Sequence, residues 1–541
     1  MGEGAPEPMG QEATRLLCVG AYVDPRFRHR IIEELVEHEE RPVAVSLGCD
    51  VLPVLAHALR ARRWEAGTGL AVLVAWAVFA AVGGREAAVF AALWVLLWGL
   101  RLVCRQIVAG VAPGRDAEAP KVPVTTLLLG VLFLLGGLVS GGQALAQWAL
   151  TDMPVWHAVA FPLLLAVPVW AHRLRTVVLM RQELSREQFS VRPPLELPNT
   201  RRYRRIGAAI EREQFSPLSA CTPERPLIGF GVTYDAWSFA LELRPKDRAT
   251  TDRIDGQPLP GGLSNRDVLD LIRPQVASLR LAGPATTRDR LQHLKVDECI
   301  CLPVHERRQD MPYETGRLRE CLRAAVDDDG EGRRHFLRVR ITAWDGQLVV
   351  SVLVRVHTQG GMLVLEVAPH VLAPVRETFA TAADTASDHD RLLLRNTVLA
   401  LISSPAASTA AVFALLRMAL VVTRTWLRRP TRARPGGPQV SIRELAATEQ
   451  VTLFQEMDIS RYVKTVQDRI TNGVLQALRS KGYDTNEFEQ QTVNVHRGAI
   501  YIGAMSGGVA ATGARTNIHY TTGARHVPTG NERSTPFSPR R

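Results

Sequence analysis

Cysteine is scarce. The seven residues at positions 18, 49, 104, 221, 299, 301 and 321 are scattered, and reduced thiols are expected of them. Cys299-Ile-Cys301 with His305 is the one arrangement with metal-binding character. Its single intervening residue falls short of the roughly two to four that zinc-binding thiolates need. Two thiols at i and i+2 simply share one face of a strand, so no metal is expected. Lysine is scarcer still, five of the 65 cationic residues, a bias of GC-rich coding rather than of function. Catalytic signatures are missing as well. The chain has no Gly-x-x-x-x-Gly-Lys-Ser/Thr, no complete Gly-x-Gly-x-x-Gly after a strand, no His-Glu-x-x-His and no Gly-x-Ser-x-Gly. Gly229-Phe230-Gly231 is only a fragment of such a loop and reads as a strand kink. His357 and His370 read as ordinary half-buried histidines. No catalytic residue and no cofactor is expected, although an enzyme whose site forms only on folding stays open as an alternative. Residues 1–14 lack an apolar core, so no cleavable signal peptide is expected.

What is present in quantity is apolar sequence. Four runs, 66–83, 86–103, 123–142 and 154–171, approach the length of about 20 residues that crosses a bilayer. Trp94, Trp98, Trp148, Trp156 and Trp170 fall near their ends, where indole favours the headgroup layer. A buried helical bundle in a soluble protein is the competing reading. No acidic side chain lies well inside a run, which leaves a cation or proton pathway without a carrier. Arg60, Arg62 and Arg63 precede the first run, Arg105, Arg115 and Lys121 separate the second and third, and Arg173, Arg175 and Arg181 follow the fourth. By the positive-inside rule both ends of the block, and both termini, are cytoplasmic in a plasma membrane.

The fold class expected is therefore an integral membrane protein: a four-helix transmembrane bundle with a cytoplasmic α+β domain, a C-terminal helix and a short Gly-rich β segment. Residues 1–65 form a small N-terminal unit with a strand near 15–23 and helices over 27–39 and 50–63. The spans occupy 66–173, and a helix with a Pro-rich linker covers 174–199. The α+β domain runs from 200 to 385. Its clearest piece is a three-stranded meander over 336–343, 348–356 and 362–367, turned by Asp345-Gly346 and Gln359-Gly360-Gly361. Leu337, Val339 and Ile341 alternate with Arg338, Arg340 and Thr342, so one face packs and the other meets water.

Residues 388–429 hold two apolar stretches broken by Ser403, Ser404 and Pro405. Arg417 inside the second favours an amphipathic, membrane-associated helical pair over a fifth span. Arg424, Arg428, Arg429, Arg432 and Arg434 then form a basic cluster, the candidate contacts to anionic lipid headgroups. No aromatic-interleaved basic module is present, so no nucleic-acid partner is expected. A linker, 430–457, leads to a helix over 458–482, with Asp458 as its cap and Gly482 as its stop. Residues 483–525 are Gly-rich and β-prone, and 526–541 read as a disordered tail. Val493, Val495, Ile500, Tyr501, Ile502, Val509 and Ile518 are the candidate self-association residues, in a stretch without a carboxylate between Glu489 and Glu532. A local hairpin or a flexible tail is the plainer reading of the same stretch.

The motif Pro226-Leu227-Ile228-Gly229-Phe230-Gly231, the following Trp237-Ser238-Phe239-Ala240 and the segment 335–374 resemble an uncharacterised family of actinobacterial multispanning membrane proteins, over residues 15–430. The resemblance implies topology and source, and it brings no catalytic residue. The stretch 493–520 is similar to the short C-terminal amyloid-type signalling motifs of bacterial immunity and cell-death proteins. Together these readings give a non-enzymatic membrane platform that recruits or clusters cytoplasmic partners in a stress, conflict or cell-death system. The partners expected are the lipid bilayer, an unidentified cytoplasmic protein and further copies of the chain as a homo-oligomer. The alternative is a pore-forming effector assembled through the C-terminal segment, with Gly130, Gly136, Gly137 and Gly141 allowing close helix packing.

Overall fold

The protein is described here from a computed structural model. It covers residues 11–83, 155–222, 225–246, 262–281, 294–304, 311–327, 332–387 and 436–489, with single positions between them.

The chain begins helically. α1 spans Gln11–Val23, and α2, Pro25–Ile32, continues through a π turn, Glu33–Glu37. Asp24 caps α2 by accepting from the Arg26 and Phe27 amides, and Pro25 occupies its first turn. The strand expected near 15–23 is thus a helix. A short apolar run does not distinguish the two by itself, and here Gly20 sits directly against the ring of Phe379. α3, Val51–Gly83, is one 33-residue helix. Its first part, with Val51, Val54, Leu55, Ala58 and Leu59, is buried among α1 and α2. α4, Val155–Gln182, returns antiparallel to it. The two meet through Val72, Ala75, Phe79, Phe161 and Leu165, with Phe79 stacked on Phe161 at 3.7 Å between centroids. At the base Arg60 holds Glu183 through two hydrogen bonds of 2.6 and 3.0 Å. Short α5, Arg186–Val191, and α6, Arg201–Glu213, complete this helical unit.

A seven-stranded mixed sheet follows: β1, Leu218–Cys221; β2, Val232–Thr233; β3, Trp237–Glu242; β4, Lys295–Pro303; β5, Arg334–Ala343; β6, Leu348–Gln359; β7, Met362–Leu372. The order is β1-β4-β5-β6-β7-β2, and β3 also pairs with β7. β1 runs parallel to β4, and the other pairings are antiparallel. Between the strands lie α7, Asn265–Ala277, with a Ser264–Asp267 capping box, and α8, Thr315–Asp327. After β7 come α9, Glu377–Ser387, α10, Ile442–Leu445, and the 28-residue α11, Leu453–Ser480. α11 starts five residues before Asp458. Thr452 and Gln455 form its capping box, and Gly482, at φ +75°, ends it.

The largest core lies between the sheet and the pair α7 and α11, around Val268, Ile272, Val339, Val352, Val466 and Val474. The opposite face does not meet water as expected. Val45 and Leu47, from the loop before α3, pack with Phe230, Cys299, Val349, Leu353 and Leu372 on it. β6, covered on both sides, is consequently almost wholly buried. Arg338 and Thr342 are buried as well, and Arg338 binds Asp297 at 2.7 and 2.6 Å. The units expected at 1–65, 174–199 and 200–385 also do not stand apart. One apolar cluster joins α1 to α3 with Leu179, Ile206, Val375, Phe379, Ile442 and Ala446.

The four-helix transmembrane bundle is overturned as the architecture. Among the described residues two helices, α3 and α4, are long and apolar enough to cross a membrane, and most of the fold is the mixed sheet with its flanking helices. The reason is visible in α3, whose apolar sequence serves a protein core in one half and an outward face in the other. The runs 86–103 and 123–142 lie outside the described residues. So do Arg424, Arg428, Arg429, Arg432, Arg434 and the whole of 493–525, with Val493, Val495, Ile500, Tyr501, Ile502, Val509 and Ile518.

Candidate functional site

The main concavity is a cleft of about 1430 Å³ between the helical unit and the first strands of the sheet. One wall is the loop 45–50 with Pro53, His57 and Arg60 of α3. Backbone needs fix that loop. The Val43 amide donates to Glu213, the Ser46 amide to the Gln214 carbonyl, the Asp50 amide to Thr14 Oγ1 and the Val51 amide to Gln214 Oε1, all within 2.8–2.9 Å. The other wall is Lys295, Val296, Asp297 and Glu298 of β4, with Arg338 and Arg340 of β5 and Arg273 and Arg280 at the end of α7.

Electrostatically this second wall is cationic with two embedded acids. Asp297 is taken by Arg338. Glu298 receives His335 Nε2 at 3.3 Å, Arg266 at 3.0 Å and Arg273. The hydrogen bond from His335 above all, with the two guanidinium groups, holds its carboxyl down at about 2. Lys295 and Arg340 stand opposite each other in the register, two like charges side by side at the mouth. Arg280 donates through Nε to the Leu294 carbonyl.

Behind the cleft, α10 acts as a latch. The Glu444 carboxylate accepts the amides of Gly229 and Gly231 at 2.7 and 2.8 Å, and burial raises its pKa. These glycines adopt φ +104° and +90°, and a Cβ on either would lie 2.2 Å from a backbone oxygen, Val45 or Val371. The Gly-Phe-Gly fragment is thus a tight crossing that presents two amides to one carboxylate, not a strand kink. Arg443 beside it is fully buried. It donates to the Gln347 carbonyl and keeps two nitrogens without a partner, and burial lowers its pKa to about 10.

The cysteines hold no site of the expected kind. Cys221 and Cys301, expected as free thiols, form a disulfide between β1 and β4. Cys49 and Cys299 are buried and burial pushes each up to about 12, so neither is poised as a nucleophile. His305 lies outside the described residues, and among those described no group of three metal-ligating side chains occurs. His370 is buried, with Ala368 O and Thr233 Oγ1 in hydrogen-bond range. His357 lies beside Gln359 Oε1. The cleft itself escaped sequence reading because its walls come from residues more than 200 positions apart. The only local sign was Lys295 and Asp297 alternating with apolar residues on β4.

No match was found among curated proteins or among solved structures. A family model described as AbeC-like domain matches residues 236–510, from β3 through the sheet and α11. The resemblance expected over 15–430 therefore falls on the C-terminal half, beyond the apolar runs and the Gly-Phe-Gly crossing. With half of its length matched, the chain belongs to the AbeC-like domain family.

Proposed function

We propose that the chain is a non-enzymatic docking platform held at a bacterial plasma membrane by α3 and α4, with the sheet domain presented to partners in the cytoplasm. One observation carries the anchoring. Leu70, Val74, Val78 and Val82 form an i, i+4 stripe on α3 that is 59, 54, 51 and 63% exposed. Leu163 and Val167 extend the apolar surface onto α4. A surface of this extent is costly in water and suits acyl chains. Arg62 and Arg63 at the base of α3 and Arg173 and Arg175 at that of α4 lie at the end nearest the globular unit, which favours a cytoplasmic sheet. In that reducing compartment the Cys221–Cys301 pair is held as the dithiol.

The test is alkaline carbonate extraction of membranes from cells making the full chain. Retention with lipid is expected, and recovery in the aqueous phase would overturn the anchor. Thiol labelling after rapid quenching reads the side. Labelled Cys221 and Cys301 support a cytoplasmic sheet, and a protected disulfide opposes it.

A further inference from the structure

The cleft contains an unpaired sheet edge. β1 pairs with β4 only at Ile300–Pro303, which leaves Lys295–Glu298 of β4 without a strand on that side. Backbone groups alternate sides along a strand. The Ile300 amide donates to Pro217 O, the Val304 amide to Cys221 O, and the Leu294 carbonyl accepts Arg280, so the even-numbered residues face β1's side. The amide and carbonyl groups of Val296 and Glu298 therefore point into the cleft. The chain that would continue β1 upstream turns away instead, with the Ser216 amide bonded to Glu213 O. What remains is a slot one strand wide, in line with β1 and about 13 Å long at 3.3 Å per residue.

Long open edges invite pairing with another chain, and proteins usually blunt them. This one is recessed inside a cavity, which shields it from edge-to-edge aggregation yet admits a single extended segment. Its surroundings select the charge of that segment. Arg273, Arg280, Lys295, Arg338 and Arg340 outnumber Asp297 and Glu298, and the two acids are already bonded to Arg338 and to Arg266 and Arg273. We infer that β4 captures an acidic, extended peptide segment of a partner protein by strand addition at Lys295–Glu298. Backbone pairing at Val296 and Glu298 supplies the attachment, and carboxylates alternating along the segment meet Lys295, Arg280 and Arg340.

This names the partner class of the platform proposed above, but it does not depend on the anchor. Binding is measured on the detergent-solubilised full chain, and carbonate extraction reports on the membrane separately. The probes are fluorescein-labelled heptapeptides that alternate Val or Thr with Asp or Glu, and their Lys/Arg counterparts. Fluorescence anisotropy should show saturable binding of acidic members and none of basic ones. N-methylation of alternate amides in one phase should weaken binding about tenfold, and in the other phase leave it unchanged. Val296→Pro, which removes only an outward amide of an edge residue, should reproduce the tenfold loss. Lys295→Glu should weaken acidic peptides and admit basic ones. Equal binding of methylated peptides in both phases would overturn strand addition. So would failure of every acidic peptide at millimolar concentration, or displacement of the peptide by single-stranded nucleic acid or anionic vesicles with N-methylation without effect.

Discussion

The two halves of α3 have similar composition and opposite surroundings. Around Val54, Leu55 and Ala58 the protein covers its own apolar side chains with α1 and α2. Around Leu70, Val74, Val78 and Val82 it leaves them open. The contrast shows that mean hydropathy reports the demand for burial, not what meets it. The same division runs through the sheet. β6 is enclosed on both faces, whereas the first half of β4 keeps an open edge.

The contrast breaks first at its packed end. Leu55→Ala should destabilise the chain by about 2–5 kcal/mol, because a fully buried side chain leaves a cavity. Chemical unfolding in detergent measures it, and a loss below about 1 kcal/mol would mean that this half is not closed. Gly20→Ala tests the same packing from the other direction. A Cβ there would lie 2.3 Å from the Phe379 ring, so a loss of about 1–3 kcal/mol is expected by the same measurement.

Glu298, at the boundary between packed and open, gives an intermediate effect with a pH signature. Its folded pKa of about 2 lies below its ordinary 4.5, so its stabilisation is complete above 4.5 and is lost as pH falls towards 2. Solvent screening of this half-buried group reduces the effect to about 1–2 kcal/mol. Glu298→Gln should remove that amount at pH 7 and flatten the stability profile between pH 4.5 and 2. At the open end Val78→Ala should change stability by under about 0.5 kcal/mol in detergent. A larger loss would show that another part of the chain covers the stripe.

How much of this was legible follows from distance along the chain. The meander was readable because Asp345-Gly346 and Gly360-Gly361 fix both turns locally, and Asp345, Gly346, Gly360 and Gly361 all take positive φ. The burial of Arg338 was not, since its cover comes from residues 45–47, nearly 300 positions earlier. The start of α11 was readable in principle, as Thr452-x-x-Gln455 is a capping-box pattern. Glycines 229 and 231 signalled a special backbone, but nothing near them named Glu444 as their partner. For the cleft, each wall is ordinary in sequence, and only the fold sets the loop 45–50 opposite β4.

The continuity of α3 has a mechanical consequence. Its 33 residues make a rod about 50 Å long, and its one proline, Pro53, lies in the first turn. α4, by contrast, carries Pro168 in its interior, a point where a helix bends. The pair is thus a stiff lever beside a compliant stay, pinned together at the base by Arg60 and Glu183. Tilting the lever by about 10° would carry its outer end through roughly 9 Å. Because Pro53, His57 and Arg60 line the cleft, the same motion changes the width of the slot beside β4. Thickness or tension in whatever surrounds the outer half of α3 is thereby transmitted to the peptide-binding edge as a change of gauge.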